Sequence, residues 1–280
     1  MWPFTRTPIV PVVRLYGPIG AATPLRPGLS IASVASALER AFELSKTPSV
    51  AIVVNSPGGS PVQSNLIMSR IRHLAGEKKK RVYVFCEDVA ASGGYFIACA
   101  GDEIYADPSS IVGSIGVINA TFGLDRVIDR LGVDYRLYTA GRSKSVLDPF
   151  RPEKPEDVAR IKDMLAEIHD VFIGVVKDRR AGKIKGPDEE LFSGAFWTGA
   201  KALEYGLVDG IGDVRTKMRE VHGPHVKLKV VPIEKQGILA WFRRAPETGH
   251  ADAPGAIRHH FADDVISSLE ARALWSRYGL

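Results

Sequence analysis

A serine followed by two glycines stands where one predicted element ends and the next begins. The apolar run VYVFC at 82–86 is typical of a buried strand, and EDVAASGG at 87–94 carries Ser92 from it into a predicted helix over 93–100. A serine at a helix start is most often an N-cap, because its oxygen accepts from free amides of the first turn. The same position directs those amides at any anion that forms beside the hydroxyl. Ser92 is therefore a helix cap or a nucleophile.

Glycines follow a neighbouring predicted strand. NSPGGS at 55–60 comes directly after the apolar residues AIVV at 51–54. Glycines at the carboxyl end of a strand let backbone amides face a crevice, as binding a carbonyl or a phosphate requires. The run matches neither GxxxxGK[ST] nor GxGxxG, which disfavours a phosphate site, while a plain turn stays open. With Ser92 at the next strand end, the glycine amides would give a nucleophile facing an oxyanion hole.

Such a serine needs a base. Six of the seven histidines lie beyond the strand-rich block and His73 falls in a predicted helix, so a Ser, His and Asp triad is hard to assemble. A lysine can replace histidine where a dry setting keeps its amine neutral. Lys144, in GRSKSVLDPF, follows a predicted strand over 133–140 and has small and apolar neighbours. Taken alone, it is more typical of an ordinary loop lysine.

Strands and helices alternate along the first half of the chain. These elements must position Ser92, the strand-end glycines and Lys144. Apolar runs at 12–15, 51–55, 82–86, 103–106 and 133–140 predict strands. The alternation predicts an α/β fold, a mainly parallel sheet built of βαβ units with flanking helices. The other predicted elements are helices over 31–44, 62–74, 93–100, 122–131, 155–180, 198–205 and 214–221, and an edge-like strand over 226–233.

The composition divides the chain into two parts. Residues 1–233 form the predicted folded domain, and 234–280 a linker followed by an amphipathic helix. The linker, at 244–259, is rich in Pro, Gly, Ala and charge, and apolar residues recur at helical spacing over 261–275.

Composition and charge favour a soluble globular protein. The 280 residues are 45% hydrophobic and 25% charged, with a net charge of +5 spread along the chain, so we expect no nucleic-acid partner. No segment has the length of a membrane span and no secretory signal is present, so we expect a cytoplasmic protein with at most peripheral contact with the inner membrane. Cys86 and Cys99 are too few for a disulfide framework or a zinc site and are expected in the core.

Four separated motifs resemble one family in its own order. NSPGG, ASGGYFIACAGDEIYADPSSIVGSIGV, SKSVLDPF and WTGAKALEYGLVDGIGD are similar to those of the signal peptide peptidase SppA family, which includes shorter SohB-like members, and the resemblance covers residues 11–221. It implies the fold shared with ClpP and crotonase, serine endopeptidase activity on signal peptides or other unfolded hydrophobic peptides, and no cofactor or metal. Family members also form rings, so the resemblance implies a homo-oligomer.

The resemblance assigns roles to particular residues. It implies that Ser92 is the nucleophile, Lys144 its base, and Ser114 the hydroxyl that orients the lysine. The implied oxyanion donors are the amides of Gly59 and Gly93, with Gly58 as an alternative. Two features depart from the family: we expect no membrane anchor before the domain, and Asp148 stands where Glu is usual.

Two other functions stay open at this point. A crotonase-type acyl-CoA enzyme would use a similar fold and oxyanion hole, but with carboxylates in place of the dyad. A non-catalytic scaffold would bind peptides without turning them over.

Overall fold

One sheet of eight strands organises the protein. The computed structural model describes residues 7–20, 28–141, 143–233 and 272–279, and the elements below lie within them. The strands are β1 Ile9–Tyr16, β2 Ser49–Ser56, β3 Arg81–Ala91, β4 Glu103–Ala106, β5 Ile111–Gly113, β6 Phe196–Thr198, β7 Gly210–Ile211 and β8 Lys227–Val230.

The sheet is parallel except at one edge. Its strand order is β6-β5-β3-β2-β1-β8, with β4 pairing both β3 and β7 beside this path. Among the strand pairs formed by the described residues, only β5–β6 is antiparallel. The α/β class and the mainly parallel sheet expected from the sequence are thereby confirmed.

Helices connect the strands and cover the sheet. α1 begins after a capping box in which the side chains and amides of Ser30 and Ser33 bond reciprocally. α5 has proline in its first turn, where the missing amide hydrogen costs nothing. The helices are α1 Ile31–Glu43, α2 Pro61–Lys78, α3 Gly93–Ala98, α4 Asp125–Arg130, α5 Pro155–Arg179, α6 Asp188–Leu191, α7 Gly199–Glu204 and α8 Val214–His222.

Hydrophobic residues are buried on both faces of the sheet. Along β1, Val13 and Leu15 belong to the larger core cluster with the buried residues of α1 and α2, whereas Val10 and Val12 face a smaller cluster with Met218 of α8. This alternation is the two-residue period of a strand. β2, SVAIVVNS, is buried at all positions but Asn55, as expected of a central parallel strand. Both cysteines are buried, as expected.

The predicted strand over 133–140 is wrong. The segment has no regular secondary structure, and Val133, Tyr135 and Tyr138 are 53%, 41% and 89% exposed. No described strand pairs with it, and an alternating pattern alone cannot form a strand without a partner to complete the hydrogen-bond ladder. The helix predicted over 122–131 is present but shorter, as α4.

The C-terminal predictions fall partly outside the described residues. The linker over 244–259 and most of the predicted helix over 261–275 lie outside them, whereas 272–276 is helical. Among the described helices, none combines the length and the apolar composition needed to cross a bilayer.

Candidate active site

Ser92 occupies a strained turn between β3 and α3. Its φ of +52° and ψ of −123° are rare for a residue that has a Cβ. The Ser92 amide donates to Gly113 O at 2.8 Å, and its carbonyl accepts from Phe96 N at 3.0 Å, so both neighbours hold the turn. The side chain makes no capping hydrogen bond. Ser92 therefore stands at the cap position of α3 without capping it, and its hydroxyl is available for chemistry.

A bulge in β3 precedes this turn. Cys86 pairs with Val54, but the next pair is Ala90 with Ser56, so β3 carries two extra residues between them. The first half of β3 pairs with β4 and its last three residues pair with β5. Bulges re-aim the strand that contains them, and this one sends the end of β3 towards the glycine turn that follows β2.

The glycines of both turns meet at Ser92. A Cβ on Gly58 would lie 2.8 Å from Ser92 Cβ and 2.9 Å from Gly93 N, and a Cβ on Gly93 would lie 3.3 Å from Gly59 N. Gly59 has a φ of +140°, and a Cβ there would overlap the carbonyl of Ile19, so only glycine fits. The structure thus brings together the carboxyl ends of β2 and β3, as expected from the sequence.

The amides of these glycines are not equivalent. Gly58 N already donates to Ser56 Oγ at 3.2 Å. No hydrogen bond between described residues uses the amide of Gly59 or of Gly93. Gly93 is also the first residue of α3, where amides lack intrahelical acceptors. Among the described residues, the amides of Gly59 and Gly93 therefore have no acceptor, whereas the amide of Gly58 is engaged.

A cavity of about 740 Å³ opens beside Ser92, Gly59 and Gly93. Three of its apolar side chains, Val62, Ile118 and Val171, are 66%, 62% and 58% exposed, so apolar surface faces solvent here. The apolar wall is formed by Val62, Phe96, Ile118, Ile168, Val171 and Phe172.

Ser114 also lines this cavity. It has a φ of +53°, and its amide donates to Ala195 O at 2.7 Å. His169 on α5 bonds the next carbonyl, Ile115 O, through Nε2 at 3.0 Å. Ser114 Oγ accepts a hydrogen bond from the hydroxyl of Tyr278 at 3.3 Å. Hydrogen bonds at the Ser114 amide, the Ser114 hydroxyl and the Ile115 carbonyl therefore hold Ser114 in position.

Lys144 does not line the cavity. Lys144 is exposed in a turn, where its amide donates to Gly141 O at 3.4 Å. No hydrogen bond joins its side chain to Ser92. The dry setting expected from its apolar neighbours is absent in this conformation.

Asp148 organises the turn that carries Lys144. Its carboxylate accepts from Tyr135 Oη at 2.8 Å, Ser145 Oγ at 3.2 Å and Phe150 N at 3.0 Å. Partial burial would raise the pKa of Asp148, but these hydrogen bonds outweigh burial and lower it. The aspartate that departs from the family pattern is thus an ionised anchor for the lysine turn.

Neither cysteine is a competing nucleophile. Burial raises the pKa of Cys86 and of Cys99 to about 12, so both are thiols at neutral pH.

Sequence reasoning missed Tyr278 and His169 at this site. His169 falls within the predicted helix over 155–180, and Tyr278 lies beyond the predicted C-terminal helix. Neither belongs to a motif that could have indicated a contact with 114–115.

Comparison with known proteins identifies relatives over most of the chain. The model of Peptidase family S49 matches residues 75–229, more than half of the sequence. A Brucella abortus (strain 2308) protein named Na(+)/H(+) antiporter NhaA is 53% identical over 275 residues, which are 97% of this chain and 37% of that protein. The Arabidopsis thaliana protein named Serine protease SPPA, chloroplastic, is 30% identical over 207 residues, 72% of this chain and 29% of that protein.

A solved structure also resembles the chain. It is a mutant of the 1510-N membrane-bound stomatin-specific protease, 16% identical, with a TM-score of 0.48, covering 81% of this chain and 99% of the other.

The parallel sheet, with its flanking helices and a strand-end serine beside a cavity, defines the class as an α/β protein, and the family match fits a ClpP-like fold. The chain belongs to Peptidase family S49. It spans well under half the length of the two relatives named above.

Proposed function

We propose that the chain is a serine endopeptidase in which Ser92 is the nucleophile and Lys144 the general base. The observation that carries this proposal is the Ser92 turn. A strained, non-capping serine faces two amides without acceptors, those of Gly59 and Gly93, at the edge of an apolar cavity. Backbone strain at a residue with a free hydroxyl is typical of functional sites.

The reaction proceeds through an acyl-enzyme. The neutral amine of Lys144 takes the proton of Ser92 while Oγ bonds to the peptide carbonyl carbon. The amides of Gly59 and Gly93 stabilise the oxyanion. The C–N bond then breaks as the Lys144 ammonium gives its proton to the leaving amine. Lys144 next deprotonates a water, which attacks the acyl carbon, and Ser92 leaves with the proton returned.

This mechanism requires the turn that carries Lys144 to approach the cavity. Lys144 is exposed, and Asp148 in its turn bonds Tyr135 and Ser145, neither of which lines the cavity. On arrival, an N–H of the neutral Lys144 amine would donate to Ser114 Oγ, which lies in the cavity with Ser92. Ser114 is proposed as the residue that orients the base.

The proposed substrates are unfolded hydrophobic peptides, including released signal peptides. The apolar cavity wall supports this class, because burial of an apolar side chain against Phe96, Ile168 and Val171 is favourable. Polar peptides would gain less from the same surface.

A ring of identical subunits is proposed as the working assembly. Several apolar side chains of the 118–150 segment are exposed, and such surfaces mark contact sites. The most exposed are Ile118 at 62%, Phe122 at 83%, Leu131 at 71% and Tyr138 at 89%. Sedimentation at micromolar concentration tests this: a species larger than a monomer is expected, and a monomer would contradict the ring.

The proposed location is the cytoplasm, with at most peripheral contact with the inner membrane. The segment ILAWFRR at 238–244, which lies outside the described residues, combines apolar and basic residues suited to a membrane surface. Cell fractionation tests this, and protein that only detergent releases from membranes would contradict it.

The dyad is tested with three variants of the full chain. We expect Ser92→Ala and Lys144→Ala to lose hydrolysis of a fluorogenic hydrophobic peptide. The matched control is Lys154→Ala, because Lys154 is also an exposed lysine but precedes α5 without a side-chain capping bond. Equal activity in all four proteins would rule out the assignment.

A fluorophosphonate probe separates the alternatives. A peptidase of this kind is labelled at Ser92, and the label is lost in Ser92→Ala. A crotonase-type enzyme gives no adduct at Ser92, and a scaffold binds peptide without turnover.

A further inference from the structure

The cavity beside Ser92 is occupied in part by the chain itself. Leu274, Arg277 and Tyr278 line the same cavity as Ser92 and Ser114. Leu274 and Tyr278 are half-buried, whereas Arg272, Ala273 and Ser276 are exposed. The described segment 272–279 thus turns one side towards the cavity.

Tyr278 makes the specific contacts of this segment. Its hydroxyl lies 3.3 Å from Ser114 Oγ and 3.5 Å from Pro57 O. Its ring packs edge to face on Phe196, with the ring centroids 5.2 Å apart and an interplanar angle of 74°. Edge-to-face packing is a favourable aromatic geometry. The side chain is therefore held between the turn after β2, the Ser114 turn and β6.

Ser114 Oγ is the acceptor that the proposed mechanism reserves for Lys144. A hydroxyl oxygen has two acceptor lone pairs, of which Tyr278 occupies one. A second donor must enter through the cavity that Leu274, Arg277 and Tyr278 already line. In this structure the donor to Ser114 is Tyr278, and Lys144 is exposed outside the cavity. Both observations are explained if Tyr278 holds the position at Ser114 that Lys144 would take.

We propose that segment 272–279 is an intramolecular inhibitor, in which Tyr278 takes the Ser114 hydroxyl and thereby excludes Lys144 from Ser92. The inference rests on the proposed roles of Ser92, Lys144 and Ser114. Docking excludes an extended peptide from the cavity until the segment leaves.

The contacts suit a reversible inhibitor. They consist of one long hydrogen bond from the Tyr278 hydroxyl, its 3.5 Å approach to Pro57 O, one ring contact and the half-buried Leu274. Weak contacts can maintain occupancy because a tethered segment binds at an effective concentration that can be millimolar. A substrate of higher affinity can still displace it.

The first test measures kcat/KM for a hydrophobic peptide with point variants of the full chain. Leu274→Asp places a charge against the apolar wall, and we expect kcat/KM to rise about tenfold, which is the effect of 1.4 kcal/mol. Tyr278→Phe keeps the ring and removes the hydroxyl, so a smaller rise is expected. Arg272→Ala, at an exposed residue outside the cavity lining, should equal the parent. Leu274→Asp at or below the parent value would overturn the inhibition.

A second measurement is independent of catalysis. Amide hydrogen exchange is compared in the Ser92→Ala background, with and without Leu274→Asp. Release of the segment should speed exchange in peptides that contain 114–118 and 195–197, and Arg272→Ala should not. Unchanged exchange would overturn the docking itself. If the dyad assignment fails instead, Ser92→Ala retains activity while the exchange difference persists.

Discussion

Arg180 donates to both carboxylate oxygens of Asp209, with Nη1 2.7 Å from Oδ2 and Nη2 3.2 Å from Oδ1. The Arg180 side chain is 1% exposed and also donates to Gly206 O. Asp209 accepts in addition from Ile104 N and Lys183, which ties β4 to the end of α5. The ion pair therefore joins β4, the end of α5 and the segment that leads into β7.

Removal of the Asp209 charge should destabilise the fold strongly. Asp209→Asn leaves the buried guanidinium of Arg180 without its counterion, and breaking such a pair costs about 3–5 kcal/mol. Urea unfolding gives the free energy directly. The matched control is Glu204→Gln, because the Lys201–Glu204 pair is 44% and 65% exposed and should contribute at most about 1 kcal/mol. Equal losses in both variants would contradict the prediction.

The same pair should make stability depend on acid pH. Burial would raise the pKa of Asp209, but hydrogen bonds from Arg180 and Lys183 outweigh it and hold the pKa below its usual value. A carboxyl whose pKa is lowered by folding contributes stability that is complete above its unfolded pKa, about 4, and is lost as pH falls through the folded pKa. Unfolding free energies measured from pH 7 to pH 3 should fall more steeply for the parent than for Asp209→Asn. Parallel curves would exclude this contribution.

A methyl group at Gly93 should impair catalysis more than folding. In Gly93→Ala the Cβ would overlap Ser64 Oγ, which is itself held by a 2.9 Å bond to Ser60 O, so the Gly93 amide must shift away from Gly59. Loss of one oxyanion donor lowers kcat about 100-fold or more. Peptide hydrolysis measures the effect. Gly76→Ala, in α2 with nothing within 4 Å of the added Cβ, should keep parental activity. Similar kcat values for both variants would argue against Gly93 as an oxyanion donor.

Strain at Ser92 should appear in stability measurements. Glycine adopts the φ of +52° at Ser92 without the steric cost that a Cβ brings, and such strain costs about 1–3 kcal/mol. We therefore expect Ser92→Gly to be more stable in urea than Ser92→Ala by about 1 kcal/mol or more. At Ser109, which has no positive φ, the order should reverse because glycine gains more entropy on unfolding. The same order at both sites would contradict a strained Ser92.

Much of the candidate site follows from the order of strand ends. Ser92, Gly59 and Gly93 meet because β2 and β3 are parallel neighbours, and parallel strands bring their carboxyl ends to one edge. Short apolar runs indicated both strands, and local glycine sequences indicated both turns. Those features are encoded within a few residues of each other.

Other features depend on distant partners and could not be predicted. The segment over 133–140 has the alternating pattern of a strand but pairs with no described strand, so the strand predicted from that pattern is wrong. The contact of Tyr278 with Ser114 joins residues far apart in sequence, and the two-residue lengthening of β3 is visible only in the pairing register. The exposure of Lys144 likewise depends on tertiary packing and could not be predicted. Its apolar neighbours in the sequence suggested a dry site, but the residue is exposed.

The edge strands β6 and β8 affect how the protein can aggregate. β6 has three residues, and β8, at the opposite end, has four and presents Lys227 and Lys229 to solvent. Short and lysine-bearing edges resist pairing with the edge of another sheet. Self-association of the folded chain should therefore occur through burial of side chains, and sulfate, which strengthens such burial, should promote it.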